Sequence, residues 1–329
     1  MFQPRAIVLM YHRIADVVRD PWQLSVSPGN FEQHLRVLQK SRLIPVQQLA
    51  SDLYQKSVVN KTVCLTFDDG YADNYLQAKP LLEKYKTPAT FFIPTEYPGQ
   101  QALFWWDELE NIFLGYPELP ARLSLSIRGS IFELVLGEDN ILSKEQLHQH
   151  KRWAWPAESP TLRCKLYLLL WEKLKPLPYT ELKAIVAEIK SWASFEEPAD
   201  KESYPMTLEQ LANLSDHPFI RLGLHTVTHL SLSHHPSGVQ LAEISDNKLY
   251  LEKICPYKVN CIAYPYGDYN TNTLTVSKQL KLSAAFTTTE KIVSNLSDPL
   301  QLGRFQVRNW TGDQFEEQIN KWSRSSQFL

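Results

Sequence analysis

The amino-acid sequence predicts an α/β protein whose sheet is largely parallel. Short apolar runs alternate with segments of helical periodicity over residues 1–99 and again over 206–329. Several of these runs end abruptly at polar turn residues, as buried strands do. With 43% hydrophobic and 21% charged residues, the composition is that of an ordinary globular protein. Strands that alternate with helices favour a parallel sheet, because each helix returns the chain to the same edge.

The first α/β segment contains three predicted strands and two predicted helices. Its helical periodicity is clearest at Phe31, Leu35 and Leu38, which share one helix face. In order, the elements are a strand over 5–11, a helix over 27–41, a strand over 61–67, a helix over 74–85 and a strand over 87–94.

Residues 100–205 interrupt this alternation and predict a large, mostly helical insertion. Two segments, 162–174 and 179–195, each carry an apolar helix face. The insertion is rich in tryptophan, at positions 105, 106, 153, 155, 171 and 192. We therefore divide the chain into an α/β domain, formed by 1–99 and 206–329, and the insertion over 100–205.

The alternation resumes at Met206, where Thr207 is the predicted N-cap of a short helix. The remaining predicted elements are strands over 219–224, 259–264 and 282–288, and helices over 238–254, 271–280 and 312–322.

Charge and apolar patterning exclude several functional classes. The net charge of −2 argues against a nucleic-acid partner, which normally leaves a basic patch. No window reaches the ~20 apolar residues that a membrane helix needs, and the apolar start over 6–11 is too short for a signal peptide. We expect a cytoplasmic protein, or a secreted one if a leader has been removed. The oligomeric state is not predicted.

The four cysteines form no CxxC pair, so a zinc knuckle or a thioredoxin-like site is not expected. Cys64 lies in a buried strand. Cys255 and Cys261 are close enough in sequence to pair, but a reducing compartment disfavours the disulfide.

Two polar motifs follow predicted strands directly. Asp68 and Asp69 come after the strand over 61–67, and Gly70 permits a sharp exit from it. Adjacent carboxylates at a turn point in different directions, so one can bind a metal while the other binds a proton. His225 and His229, four residues apart, can converge on one ion. Asp-Asp-Gly alone is also compatible with a solvent-exposed turn. The spacing of the two histidines is also compatible with chance, because this stretch of the chain is rich in histidine.

A third motif, Tyr264 to Asp268, follows another strand and resembles an ordinary turn when taken alone. Because strand ends share one edge of a parallel sheet, the three motifs are expected to meet. One carboxylate and two imidazoles make a facial set for a divalent cation with open positions. A second carboxylate is then available as a general base, which outlines a hydrolase site.

The order and wording of these motifs resemble the polysaccharide deacetylase family, carbohydrate esterase family 4, with its NodB-homology domain. The matching segments are TFDDG at 66–70, HTVTH at 225–229 and AYPYG at 263–267. VLMYHRI near the start and LGRFQV near the end resemble one branch of the family. The resemblance spans 5–98 and 206–320, and implies a distorted (β/α) barrel with fewer than eight units.

The resemblance also implies a role for each motif residue. Asp69, His225 and His229 would hold a divalent metal, most simply Zn²⁺, with Co²⁺ or Ni²⁺ as alternatives. Asp68 would be the general base that takes a proton from water activated by the metal. The backbone N–H of Tyr266 would stabilise the tetrahedral oxyanion.

Two positions depart from the family pattern. Ala263 stands where many members carry an arginine that orients the base, and we expect Arg304 to supply that charge. No histidine follows His235, although many members use a late histidine as the general acid. We assign that role to His12, at the end of the first strand, although a bystander histidine beside the site is an equal alternative.

For substrate binding we single out Trp105, Trp106 and Asp107 of the insertion, with Pro265 of the third motif. Indole faces suit sugar rings, and a carboxylate accepts hydrogen bonds from sugar hydroxyls. The alternative is that the tryptophans only pack the inserted helices.

The function these residues imply is removal of an N-acyl group, most simply acetyl, from an amino sugar of a saccharide or glycoconjugate. Two alternatives stay open: a deformylase or cyclic-amide hydrolase on the same scaffold, and a non-catalytic carbohydrate-binding protein. The intact Asp68, Asp69, His225 and His229 argue against the binding protein, which has no need of all four.

Overall fold

The computed structural model describes residues 4–198 and 202–324. Within them the chain forms two compact units. The first unit comprises residues 4–16, 24–100 and 205–324, and the second comprises 17–23 and 101–204.

The strands agree with the predicted α/β alternation. In chain order they are β1 (Arg5–Tyr11), β2 (Arg13–Ile14), β3 (Ser25–Val26), β4 (Arg42–Leu43), β5 (Thr62–Phe67), β6 (Ala89–Ile93), β7 (Arg122–Ile127), β8 (Ser130–Val135), β9 (Ile220–Leu224), β10 (Cys261–Ala263), β11 (Ala284–Phe286), β12 (Val293–Ser294) and β13 (Phe305–Gln306).

The helices lie between these strands and make up most of the second unit. They are α1 (Pro28–Leu38), α2 (Val46–Tyr54), α3 (Lys79–Lys84), α4 (Trp105–Glu110), α5 (Lys144–Arg152), α6 (Leu162–Leu174), α7 (Tyr179–Trp192), α8 (Leu208–Ser215), α9 (Ser237–Ile254), α10 (Thr271–Gln279) and α11 (Gly312–Arg324). A π-helical turn, Asn74–Ala78, precedes α3 in the segment predicted as one helix.

The first unit is built on one sheet with the strand order β11-β10-β9-β6-β5-β1-β12. All neighbours from β11 to β1 are parallel. Only β12 pairs antiparallel, at the N-terminal end of β1. The α/β prediction is therefore confirmed. All carboxyl ends of the parallel strands lie at one edge, where polar residues can gather.

An extended segment, 302–307, closes this sheet into a ring. Leu302 bridges in parallel to Phe286 at the end of β11, and β13 pairs in parallel with β1. Gly303 lies between the two contacts, where a Cβ atom would approach the Lys291 carbonyl oxygen to 2.6 Å. A larger residue would therefore push the closing segment away from the barrel.

Alternate side chains of β1 enter two different apolar clusters, as the two-residue period of a strand requires. Ile7 and Leu9 belong to the cluster that includes Phe31 and Leu35 of α1. Val8 belongs to the other, together with side chains of β5, β6, β10 and α2. The strands are thus buried on both faces, which explains their unbroken apolar runs.

The second unit contains α4 to α7 and a β-hairpin. The sequence predicted the helices over 162–174 and 179–195 but not the hairpin, in which β7 and β8 pair antiparallel. Side chains of β7 alternate between exposed and buried, so the hairpin carried a signal that was overlooked. Residues 17–23, which were assigned to the α/β domain, cluster with this unit.

All four cysteines are buried free thiols. In the described part of the chain, no helix is long and apolar enough to span a membrane.

Candidate functional site

Three motifs meet at the carboxyl ends of β5, β9 and β10. Oδ1 of Asp69 lies 3.4 Å from Nε2 of His225 and 3.2 Å from Nε2 of His229. One ligand atom from each of these buried residues falls within 4.8 Å of the other two. The strand order brings them together, since β10 and β9 are neighbours and only β6 separates β9 from β5.

The hydrogen bonds of this group fit a bound cation. Nδ1 of His225 lies 2.8 Å from the carbonyl oxygen of Ala263, so Nδ1 donates, and in the neutral ring Nε2 carries a lone pair. Burial lowers the pKa of His229, against the opposing effect of Asp69, which favours a neutral ring there too. Oδ1 of Asp69 is buried and accepts no hydrogen bond of good geometry from the described residues. The Asp–His–His group can therefore bind a metal ion.

The backbone at these ligands adopts left-handed conformations that side chains disfavour. Asp69, Thr226 and His229 have φ of 71°, 61° and 57°. Such residues cost about 1–3 kcal/mol each, and they persist only where their surroundings hold them. Gly70, with φ of 75°, completes the turn after Asp69 at little cost.

Helix α9 supplies much of the support for the histidine loop. Glu243 accepts hydrogen bonds from the backbone N–H groups of Val227 and Thr228 and from the Thr228 hydroxyl, at 2.8–2.9 Å. One turn later, Asn247 accepts from the N–H of His225 at 3.0 Å and donates to the carbonyl oxygen of Ile93 at 2.9 Å. The sequence analysis missed both residues, although their i, i+4 spacing within one predicted helix was visible.

Asp68, the neighbour of Asp69, is paired with Arg304. Two guanidinium nitrogens lie 2.7 Å from the two carboxylate oxygens of Asp68, and both side chains are almost wholly buried. Arg304 also donates to the Thr287 carbonyl oxygen at 3.1 Å. Burial raises the pKa of Asp68, but Arg304, His225 and His12 together outweigh burial and hold that pKa below its usual value. Asp68 is therefore an oriented, ionised carboxylate at neutral pH.

His12 lies beside this carboxylate, just after β1. Its Nε2 is 3.9 Å from Oδ2 of Asp68. Nδ1 is buried and finds no hydrogen-bond partner in the part of the chain that the structure describes. Asn74 donates to the His12 carbonyl oxygen at 2.8 Å, and Asp73 accepts from the N–H of Ile14 at 3.0 Å, so the segment is anchored on both sides.

The third motif also reaches the site. Tyr266 has φ of 60°, and its ring meets the ring of His229 edge-on at 4.5 Å between centroids. Pro265 is buried and begins the short 3₁₀ turn that contains Tyr266. Asp268, at the end of the motif, accepts from the Ser231 hydroxyl at 2.6 Å and ties this turn to the histidine loop.

The insertion residues lie in α4 of the second unit. Trp105 and Trp106 are 5% and 9% exposed, and the Trp106 ring stacks on Phe104 at 4.8 Å. The carbonyl oxygen of Asp107 accepts from the Asn111 side chain at 2.8 Å. Their assignment to substrate stays a prediction.

A family model described as polysaccharide deacetylase matches residues 55–114 and 177–285. The chain belongs to the polysaccharide deacetylase family. It is also 37% identical over 89 residues to the putative polysaccharide deacetylase YxkH of Bacillus subtilis strain 168. That alignment covers 26% of this chain and 30% of the relative.

Solved structures show the same fold. The Streptococcus pyogenes deacetylase PplD in complex with acetate has a TM-score of 0.59 at 21% identity, over 96% of this chain and 98% of that one. IcaB from Ammonifex degensii has a TM-score of 0.58 at 18% identity, over 98% of both chains. A de-N-acetylase from Aggregatibacter actinomycetemcomitans has a TM-score of 0.57 at 15% identity, over 97% and 99%. The predicted distorted barrel is thereby confirmed.

Replacing Glu243 with glutamine is expected to weaken binding of Zn²⁺ about 10–100-fold, as loss of a support for metal ligands commonly does. A neutral amide is a weaker acceptor than a carboxylate for the three donors that Glu243 now serves. The measurement is competition with a chromophoric chelator. Asp246→Asn, which makes the same charge change at an exposed position of α9, is the control; equal affinities of both variants would contradict the prediction.

Arg304→Met is expected to lower the free energy of unfolding by about 3–5 kcal/mol at pH 7, because it leaves the buried Asp68 carboxylate unpaired. The burial that remains raises the pKa of Asp68, so the carboxyl takes up a proton as pH falls and the deficit shrinks. Urea unfolding of chelator-treated protein at pH 7 and pH 5 measures both effects.

Arg308→Met removes an exposed arginine four residues away and is the matched control for this loss. The double variant Asp68→Asn/Arg304→Met should recover part of the stability, since it removes both charges. A deficit that is unchanged between the two pH values would contradict the assignment to Asp68.

Proposed function

We propose that this chain is a metal-dependent hydrolase that removes an N-acyl group, most simply acetyl, from an amino sugar. The observation that carries the proposal is that two adjacent carboxylates face different partners. Asp69 faces two histidine nitrogens, whereas Asp68, the next residue, faces Arg304. A site for binding alone has no use for a second, separately oriented carboxylate.

Two imidazole nitrogens and one carboxylate oxygen are ligands that suit Zn²⁺, and Co²⁺ and Ni²⁺ accept the same set. When bound, such an ion supplies a Lewis acid for the amide carbonyl and lowers the pKa of water towards ~7.

Asp68 serves as the general base. It takes a proton from the attacking water, and Arg304 keeps its two oxygens in a fixed orientation while it does so. Because the pKa of Asp68 is lowered, the carboxylate is present as the base over the whole neutral range. The lowered pKa also makes Asp68 a weak base, so the reaction depends on a lowered pKa of the water as well.

The oxyanion of the tetrahedral intermediate is stabilised by the backbone N–H of Tyr266. A single donor of this kind contributes ~3–4 kcal/mol to the transition state. The left-handed conformation of Tyr266 and its ring contact with His229 fix the direction of this backbone relative to the ligands.

His12 donates the proton that the departing amine needs. It follows β1, the strand that neighbours β5, and Asp68 follows β5. Its position next to the base, 3.9 Å away, lets one substrate nitrogen approach both groups. The family membership and the similarity to a protein named as a de-N-acetylase support an N-acetylated sugar as the substrate.

Metal content and acetate release test this proposal together. Wild-type protein should bind about one Zn²⁺ per chain and release acetate from N-acetylglucosamine oligomers. Asp69→Ala and His225→Ala should lose both the metal and the activity, because each removes a ligand. Asp68→Asn should keep the metal and lose at least about 10²-fold in kcat.

The Asp68→Asn variant distinguishes a base from a ligand. Loss of metal in Asp68→Asn, or metal-free wild-type protein after incubation with Zn²⁺, would contradict the proposed roles. Metal without acetate release points to formyl or cyclic-amide substrates, which the same assay compares.

His12→Gln is expected to lower kcat about 10²–10⁴-fold on an N-acetyl substrate. The same variant should retain most activity on 4-nitrophenyl acetate, because a nitrophenolate leaves without protonation. His148→Gln, at an exposed position of α5, is the control. Equal losses on the amide and the ester would show that His12 is not the general acid.

A further inference from the structure

Three tryptophans of the second unit form a cluster at its surface. Trp22, Trp155 and Trp171 come from three separate segments of the chain. The Trp22 ring centroid lies 6.1 Å from that of Trp155 and 4.8 Å from that of Trp171, with interplanar angles of 40° and 39°. Trp155 is 53% exposed, and the other two are partly exposed.

Hydrogen bonds hold this cluster in place. Nε1 of Trp22 donates to the buried hydroxyl of Tyr167 at 2.7 Å. The backbone N–H of Trp155 donates to the carbonyl oxygen of Pro21 at 2.8 Å, and the Gln23 side chain donates to the carbonyl oxygen of Trp155 at 3.3 Å. The exposed rings therefore lose little freedom when they bind a ligand.

The chemistry of the cluster favours a sugar ring. Indole faces are large and rigid, and they pack against the C–H faces of pyranoses while polar groups at the edge reach the hydroxyls. Such groups are present, since Lys175 Nζ lies 5.2 Å from the Trp171 ring and the Gln23 amide borders Trp155. By contrast, Trp105 and Trp106 offer almost no exposed surface.

We infer that Trp22, Trp155 and Trp171 form a saccharide-binding platform on the second unit. This inference rests on the proposed function for the class of ligand.

Titration calorimetry tests the platform with two probes, N-acetylglucosamine pentamers of β-1,4 and of β-1,6 linkage. For a pentamer that the wild type binds, Trp155→Ala should raise the Kd about tenfold. This change corresponds to ~1.4 kcal/mol. It should leave the KM for an N-acetylglucosamine monosaccharide unchanged. Trp155→Phe, which keeps an aromatic face, should restore most of the affinity.

Ile131→Ala removes a side chain that is 68% exposed in β8 of the same unit and is the matched control. Thermal unfolding of each variant separates lost binding from lost folding. Wild-type affinity in Trp155→Ala, or no binding of either pentamer by the wild type, overturns the platform.

Acetate release separates this inference from the proposed function. Acetate release from pentamers, with a pentamer Kd that is the same in wild type and Trp155→Ala, overturns the platform and leaves the hydrolase. Pentamer binding that depends on Trp155, without release from any N-acetylated sugar, overturns the hydrolase and leaves the platform.

Discussion

The buried ion pair between Arg304 and Asp68 connects the segment that closes the barrel to the candidate site at the carboxyl ends of the strands. Arg304 lies in the segment that bridges β11 and β1, and both guanidinium contacts to Asp68 are 2.7 Å long. Neither charge is tolerable alone at this depth, since an unpaired buried ion costs several kcal/mol. The pair therefore ties the closing segment to the turn after β5, and the same turn directs Asp69 to the two histidines. The same ion pair therefore fastens the segment that closes the ring and keeps the two carboxylates directed to different partners.

Helix α9 has a comparable role on the other side of the site. The histidine loop carries left-handed backbone at Thr226 and His229, which is unfavourable in isolation. Glu243 and Asn247 offset this cost with hydrogen bonds to the loop backbone, and Asn247 also contacts β6. The nitrogens of the two candidate ligands are thereby positioned by a helix as well as by the loop, which is the preorganisation that a metal site needs.

The tryptophans of the second unit show that composition alone does not predict which aromatic side chains meet at the surface. Its tryptophans were conspicuous in the sequence, and a position shortly after the predicted strand over 87–94 singled out Trp105 and Trp106. In the structure these two are buried, whereas Trp22 and Trp155 meet from positions 133 residues apart, at 22 and 155. Trp22 belongs to a short segment that precedes the insertion in sequence but clusters with it. No local sequence pattern predicts the contact between Trp22 and Trp155, because it depends on how distant segments pack.

The sequence by itself determined the α/β class, the strands that carry the motifs, and the candidate ligands Asp69, His225 and His229. These follow from local rules: apolar runs bury, turn residues end them, and parallel strands deliver their ends to one edge. The partners of Asp68 and of the histidine loop were decided by tertiary structure. Arg304 is 236 residues from Asp68 in sequence, and only the path of the closing segment brings the two side chains into contact. Contacts of that range depend on ring closure and packing, which periodicity along the chain does not record.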